Sequence, residues 1–223
     1  MKRFELNAMP RVEGGKKALK ALRAQGCVPA VLNGGKVVEL PYAGTLAEGE
    51  KVIEIERGRG VIVTDIVVKM EDVRKLIYTP DTMAVELTIG ETKKMAVVKE
   101  LQFHPVSEEL FHIDFLEVTE QKPVTVAIPV QLTGHAEGVK AGGKLSLEMK
   151  KLKVNGIYTQ IPNRVEIDVT TLGLGKKLYV GAVTMAEGLK LMNPADACVA
   201  QVKATRASQQ AAAAAAPAKG KKK

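Results

Sequence analysis

Two residues in the stretch FHIDFLEV, Phe111 to Val118, have side chains suited to chemistry: His112 and Asp114. The stretch alternates apolar and polar residues, so it reads as a strand with one wet face. On a strand, residues two apart share a face, which puts His112 and Asp114 together and turns Phe111, Ile113 and Phe115 toward a core. His104, just upstream in QFHPVSEEL, lies before a turn that can bring it near. An imidazole beside a carboxylate can bind a metal, exchange a proton, or read a ligand through hydrogen bonds. Zinc sites take three or four closely placed ligands, and no cysteine accompanies these residues. His135, the last of the three histidines, is distant in sequence. A metal-dependent hydrolase built on His104, His112 and Asp114 is the alternative of a different class. No GxSxG segment and no plausible Cys-His arrangement points to a nucleophile. The segments GGKK, NGGK, GRGV and AGGK fit neither GxxxxGK[ST] nor GxGxxG and read as turns.

A second set of residues is cationic. GGKKALKALRAQG, residues 14–26, reads as a helix opened by Gly14-Gly15 and stopped by Gly26, with Pro29 beyond. At 100° per residue, Lys16, Lys20 and Arg23 form one stripe, while Ala18, Ala21 and Leu22 lie opposite and Leu19 flanks them. Arg11 and Lys17 add to the charge. From Gly14 to Leu40 Glu39 is the sole acid. Surface helices usually mix signs, and a one-sign stripe repels itself unless a polyanion answers it. The whole chain follows suit. Its net charge of +8 arises from a surplus of five in residues 1–35 and another five in residues 204–223, against a deficit of two between them. A near-neutral body with basic ends suggests a polyanionic partner. A carboxylate such as Asp114 repels phosphate but accepts hydrogen bonds from a 2′-hydroxyl or a base amino group. Beside a basic helix it would mark reading of RNA, not mere adhesion.

The elements that position these groups are mostly strands. RFELNA, PAVLNGG, VVELPY, KVIEIER and GVIVTDIVVK are rich in β-branched residues or alternate. MEDVRKLIY is a short helix stopped by Pro80, and MAVELTIG with KKMAVVKELQF forms a hairpin about Gly90-Glu91-Thr92. TEQKP, residues 119–123, is a boundary. Beyond it, PVTVAIPVQLTG alternates strictly, GHAEGVKAGGK is a loop, and LKVNGIYTQIP, RVEIDV, KLYVGAV and CVAQVK are short strands. The chain therefore divides into residues 1–118, residues 119–203 and an Ala/Lys-rich tail, 204–223, expected to be disordered. With aromatics at 4% and no Trp, the core must be Val, Ile, Leu and Ala. No apolar run reaches the roughly 20 residues of a membrane span. The start carries no apolar signal segment, and Cys27 and Cys198 stand apart, which fits a reducing cytoplasm.

The segments KALRAQGCVPAVLNGG and KELQFHPVSEELFHIDFLEV together resemble the bacterial large-subunit ribosomal protein family numbered twenty-five. The match lies in Leu22, Arg23, Gly26, Pro29, Ala30 and Val31, then Leu101, Gln102, His104 and Pro105, then His112 to Phe115. IPVQLTGHAEGVKAGGKL and VEIDVTTLGLGKKLYV are similar to the extra domain of the long form, the general stress protein CTC type. The resemblance implies a mainly β chain with few short helices: a small N-terminal β-barrel that binds 5S ribosomal RNA at the central protuberance of the large subunit, and a second β domain. It implies RNA contacts by Lys16, Lys20, Arg23, Lys99, His112 and Asp114, to which Arg11 is added for its place beside the basic stripe and Asn33 for its hydrogen bond, with neighbouring ribosomal proteins as further partners. No cofactor, small-molecule substrate or catalysis is expected, and an off-ribosome stress-related RNA-binding protein is the runner-up. Asn33 departs from the Tyr frequent at that place in the family, and residues 41–69 look longer than the family pattern suggests, which leaves the strand count in 36–69 open.

Overall fold

The computed structural model describes residues 1–11, 14–42, 44–56, 59–186 and 188–205. They form two compact units, Met1–Val124 with Ile157–Asn163, and Thr125–Gly156 with the chain from Arg164 onward. The expected tail lies almost wholly outside the described residues.

The first unit is a closed six-stranded barrel. Around it run β1 (Lys2–Pro10), β6 (Met83–Ile89), β7 (Thr92–Phe103), β8 (Leu110–Glu117), β2 (Cys27–Asn33) and β5 (Arg59–Lys69), and β5 pairs back to β1. The β1–β6 and β2–β8 pairs are parallel and the others antiparallel. Closure leaves no barrel edge for another chain to extend. Two further strands, β3 (Val37–Glu39) and β4 (Glu50–Glu56), pair with the early part of β5. Alternation supplies the core: Leu6, Ala30, Leu32, Ile66, Val85, Leu87 and Ile113 all point inward and are essentially inaccessible. Phe115 joins them, the aromatic exception in an aliphatic interior.

Two helices flank the barrel. Helix α2 (Met70–Ile77) buries Val73 and Leu76, carries Glu71 and Asp72 in its first turn and ends with Arg74 and Lys75. This charge order suits the helix dipole. Helix α1 (Lys16–Ala24) differs at its start, although Arg23 in its last turn suits the dipole. It buries no residue fully, has no acid in its first turn, and starts with Lys16 and Lys17 at the positive end of its dipole.

The second unit contains a four-stranded sheet in the order β12 (Val165–Asp168), β9 (Val124–Thr133), β11 (Lys151–Gly156), β14 (Lys190–Leu191). A three-stranded sheet runs β10 (Lys144–Leu147), β15 (Cys198–Lys203), β13 (Lys177–Tyr179). A four-residue helix, α3 (Glu137–Lys140), lies within the expected loop. LKVNGIYTQIP is not one strand. It pairs as β11 only to Gly156, after which Tyr158 and Ile161 are buried within the first unit. There Asn163 accepts the amide of Lys2 on its side chain at 2.8 Å and that of Thr82 on its carbonyl at 3.3 Å. Burial of Ile161 and these hydrogen bonds outweigh the local strand pattern. Among the described residues no helix is long and apolar enough to cross a membrane.

Candidate RNA-binding face of the barrel

The outer face of β7 and β8 is shaped by two irregularities. Val98 pairs with Phe115 but Glu100 pairs with Asp114, so Lys99 is an extra residue on β7. Gln102 pairs with His112 but Phe103 pairs with Leu110, so Phe111 is an extra residue on β8. A bulge re-aims the side chains around it and often lies beside a functional site. Lys99 is thereby exposed. The second bulge overturns the inward orientation expected for Phe111. Leu110 fills the core at 4% exposure, while Phe111 is turned out at 40%. Ile113 and Phe115 do point inward.

The turned-out ring is in use. The guanidinium of Arg23 lies 3.4 Å from the Phe111 ring centroid. Arg23 Nε and Nη2 also donate to the Phe111 carbonyl, each at 3.3 Å. One bulge residue therefore supplies both a π face and a main-chain acceptor to the last turn of α1. Arg23 is partly buried with Leu19 and Leu22, whereas Lys16, Lys20, Ala18 and Ala21 are exposed. The helix thus rests on the Leu19–Leu22–Arg23 side, not on the alanines. Burial, followed by the charge of Arg11, lowers the Arg23 pKa from its ordinary value. The two arginines are therefore near enough for their charges to repel. Sequence reasoning misses Phe111 because its type fits a core strand. A break in the β7 pattern is nevertheless visible in the sequence, where the apolar run MAVV gives way to KELQF.

His112 Nδ1 lies 3.0 Å from Asp114 Oδ1, with both side chains about one-quarter exposed. The contact uses His112 Nδ1 and one carboxylate oxygen, leaving Nε2 and the second Asp114 oxygen for other partners. That second oxygen accepts from donors such as hydroxyl or amino groups. Asp114 stands opposite Glu100 on β7 and beside Val31 on β2, and His112 stands opposite Gln102. Asn33 ends β2 next to Leu116, outward and half-buried. The turn after it needs glycine. Gly34 has φ +91, and a Cβ there would sit 2.9 Å from the Leu116 side chain.

Arg11 is placed otherwise than as a free phosphate contact. Its Nη2 donates to Asp65 Oδ2 at 2.8 Å, and Lys51 Nζ reaches the same oxygen at 2.9 Å. Asp65, nearly buried on β5, holds Arg11 against the barrel beside the cationic region. His104 is a turn residue: its Nδ1 accepts the amides of Val106 at 3.3 Å and Ser107 at 3.2 Å. Among the described residues no group of three or more His, Cys, Asp or Glu is placed to hold a metal ion. Arg23, Arg11, the bulge residues and the His112–Asp114 pair are brought to one side of the barrel by α1, β5, β7 and β8. Lys16 and Lys20 extend it along α1.

Comparison with known proteins agrees with this architecture. The model of the Ribosomal L25p family matches residues 6–65 and 51–115, and that of the Ribosomal protein TL5 C-terminal domain matches residues 123–206. The chain is 49% identical over 213 residues to the large ribosomal subunit protein bL25 of Porphyromonas gingivalis, covering 95% of this chain and 98% of that protein. It is 48% identical over 216 residues to the protein of the same name from Parabacteroides distasonis, with 95% and 98% covered. For Bacteroides fragilis the identity is 44% over 199 residues, with 89% and 88% covered. With its barrel and second β domain both matched, the chain belongs to the ribosomal L25p family, in the form that carries a TL5-type C-terminal domain.

Proposed function

We propose that this chain is a structural component of the large ribosomal subunit in the bacterial cytoplasm, and that its barrel binds 5S ribosomal RNA at the central protuberance. Helix α1 carries the reading. It buries no side chain fully and puts lysines at its positive end, against its own dipole, while its last turn meets Phe111, the neighbour of the His112–Asp114 pair. This arrangement costs free energy in the isolated chain and is relieved by a phosphate backbone. The acceptors on β8 suit the wide minor groove of A-form RNA, where 2′-hydroxyls and base edges are displayed. Lys16 and Lys20 then contact phosphates, Arg23 is oriented by Phe111, and Asp114 and His112 distinguish the RNA surface. Asn33 offers a hydrogen bond at the rim and Lys99 a further cation. The test is whether the chain stays with 5S ribosomal RNA when large subunits are dissociated. Recovery in a complex with 5S RNA supports the reading. Recovery with proteins alone, or absence from large subunits, refutes it.

A further inference from the structure

The near-neutral middle of the sequence hides two segments of opposite charge. Residues 36–124 carry eleven Lys/Arg and seventeen Asp/Glu. Residues 125–156 and 164–203 carry ten and six. The second unit is therefore basic without help from the tail, and part of its excess lies on one sheet face. Along β11, Leu152 and Val154 are fully buried, which turns Lys151, Lys153 and Asn155 to the other side. On β14, Lys190 is paired directly with Asn155. Met192 donates its amide to the Lys153 carbonyl at 2.9 Å and is 58% exposed. Asn155 in turn donates to Thr125 Oγ1 on β9 at 2.9 Å, so the ground between the lysines is small and neutral.

No carboxylate pairs with Lys151, Lys153 or Lys190 among the described residues. The acids of this sheet, Glu166 and Asp168, are on β12, with β9 between them and β11. Asp168 is moreover bound to the amide and hydroxyl of Thr170. The other sheet of the same unit shows a different pattern. There Lys203 meets Glu148 at 2.9 Å, and Gln201 and Ser146 donate to the same carboxylate. Neighbouring like charges on a sheet are destabilising unless something answers them. An RNA backbone does so by releasing counterions, and an exposed thioether among the cations offers an apolar contact for ribose.

We infer that the β11–β14 face of the second unit, Lys151, Lys153 and Lys190 around Met192, is a second RNA-contacting surface, directed at phosphates of the large subunit's RNA. This rests on the ribosomal reading above. It adds a contact that the barrel does not supply, and gives the second domain a role in holding the chain on the particle.

The experiment uses the full chain bound to large subunits, with a photoactivatable benzophenone amino acid at position 192. Irradiation is expected to join the chain to RNA. Joining to a ribosomal protein alone, or to nothing, overturns the inference. In parallel, the Lys151→Gln, Lys153→Gln, Lys190→Gln triple variant is compared with wild type for release from large subunits across salt concentration. The slope of log K against log salt is expected to shrink by about 2 to 3, at roughly 0.7–0.9 for each phosphate that is no longer neutralised. An unchanged slope overturns the second surface and leaves the barrel's role standing. A wild-type chain that fails to bind large subunits at all refutes both.

Discussion

Replacing Phe111 by alanine separates two meanings of the same residue. A phenylalanine in the barrel core would cost about 3–5 kcal/mol on truncation, through reduced burial and the cavity left behind. The observed Phe111 is 40% exposed, so its truncation opens no core cavity. What disappears is the cation–π interaction with Arg23, about 0.5–1 kcal/mol at such exposure, and the packing of the ring area that α1 covers. The expected destabilisation is about 1–1.5 kcal/mol, read as a shift in denaturant midpoint at constant m. Because α1 has no fully buried side chain, this effect falls heavily on its docking. Its amides should exchange roughly 5–10-fold faster, since every 1.4 kcal/mol is tenfold. Affinity for 5S RNA should fall by up to about tenfold with the salt slope unchanged, because no charge is removed. Phe111→Tyr keeps the ring and should restore all three. A stability decrease of about 3 kcal/mol or more would return Phe111 to the core, and unchanged α1 exchange would refute its anchoring role.

Three other outcomes are expected. Asp114→Ala should narrow the preference for 5S RNA over generic duplex RNA more than it alters non-specific binding, measured by competition; equal strengthening of both would make Asp114 a merely repulsive charge. Asp65→Asn removes the carboxylate that Arg11 and Lys51 share and should destabilise the chain by about 2–3 kcal/mol in denaturant unfolding, with a change under about 0.5 kcal/mol contradicting the ion-pair role. Glu148 is held at a pKa of about 2 by hydrogen bonds from Lys203, Gln201 and Ser146 and by the Lys203 charge. A depressed folded-state pKa adds stability above the unfolded value of 4.5, and that contribution disappears as pH falls through about 2. A carboxyl NMR titration should show this midpoint, rising toward the ordinary value in Lys203→Gln; a wild-type midpoint near 4.5 would rule the network out.

The strands are legible in the sequence wherever burial is one-sided. RFELNA and the VELTI of MAVELTIG alternate because one face meets the barrel interior, and a period of two survives without knowledge of partners, while PAVLNGG shows itself as a short apolar run ending in an Asn-Gly turn. The two short helices, 14–26 and 70–78, announce themselves by glycine and proline stops. The outward turn of Phe111 is not legible, because a bulge is a property of the β7–β8 register, and register depends on which strand lies opposite. The same limit hides the Asp65 partner of Arg11, 54 residues away, and the departure of Ile157–Asn163 from β11. The stripe of Lys16 and Lys20 is legible as charge. That Arg23 belongs to the packed side depends on the aromatic ring it rests on. The opposite charges within residues 36–203 cancel in a running total and emerge only when residues 36–124 are counted apart from the second unit.

The most direct measurement is a titration of isolated 5S ribosomal RNA with the full chain over a range of salt concentrations. A single saturable site is expected, with log K falling steeply and linearly with log salt, and a Lys16→Gln, Lys20→Gln variant should lose about 1.4–1.8 from the slope. Competing generic duplex RNA should bind more weakly at every salt concentration. Affinity without salt dependence, or equal affinity for any duplex, would contradict a barrel face that meets phosphates with α1 and reads the groove with His112 and Asp114.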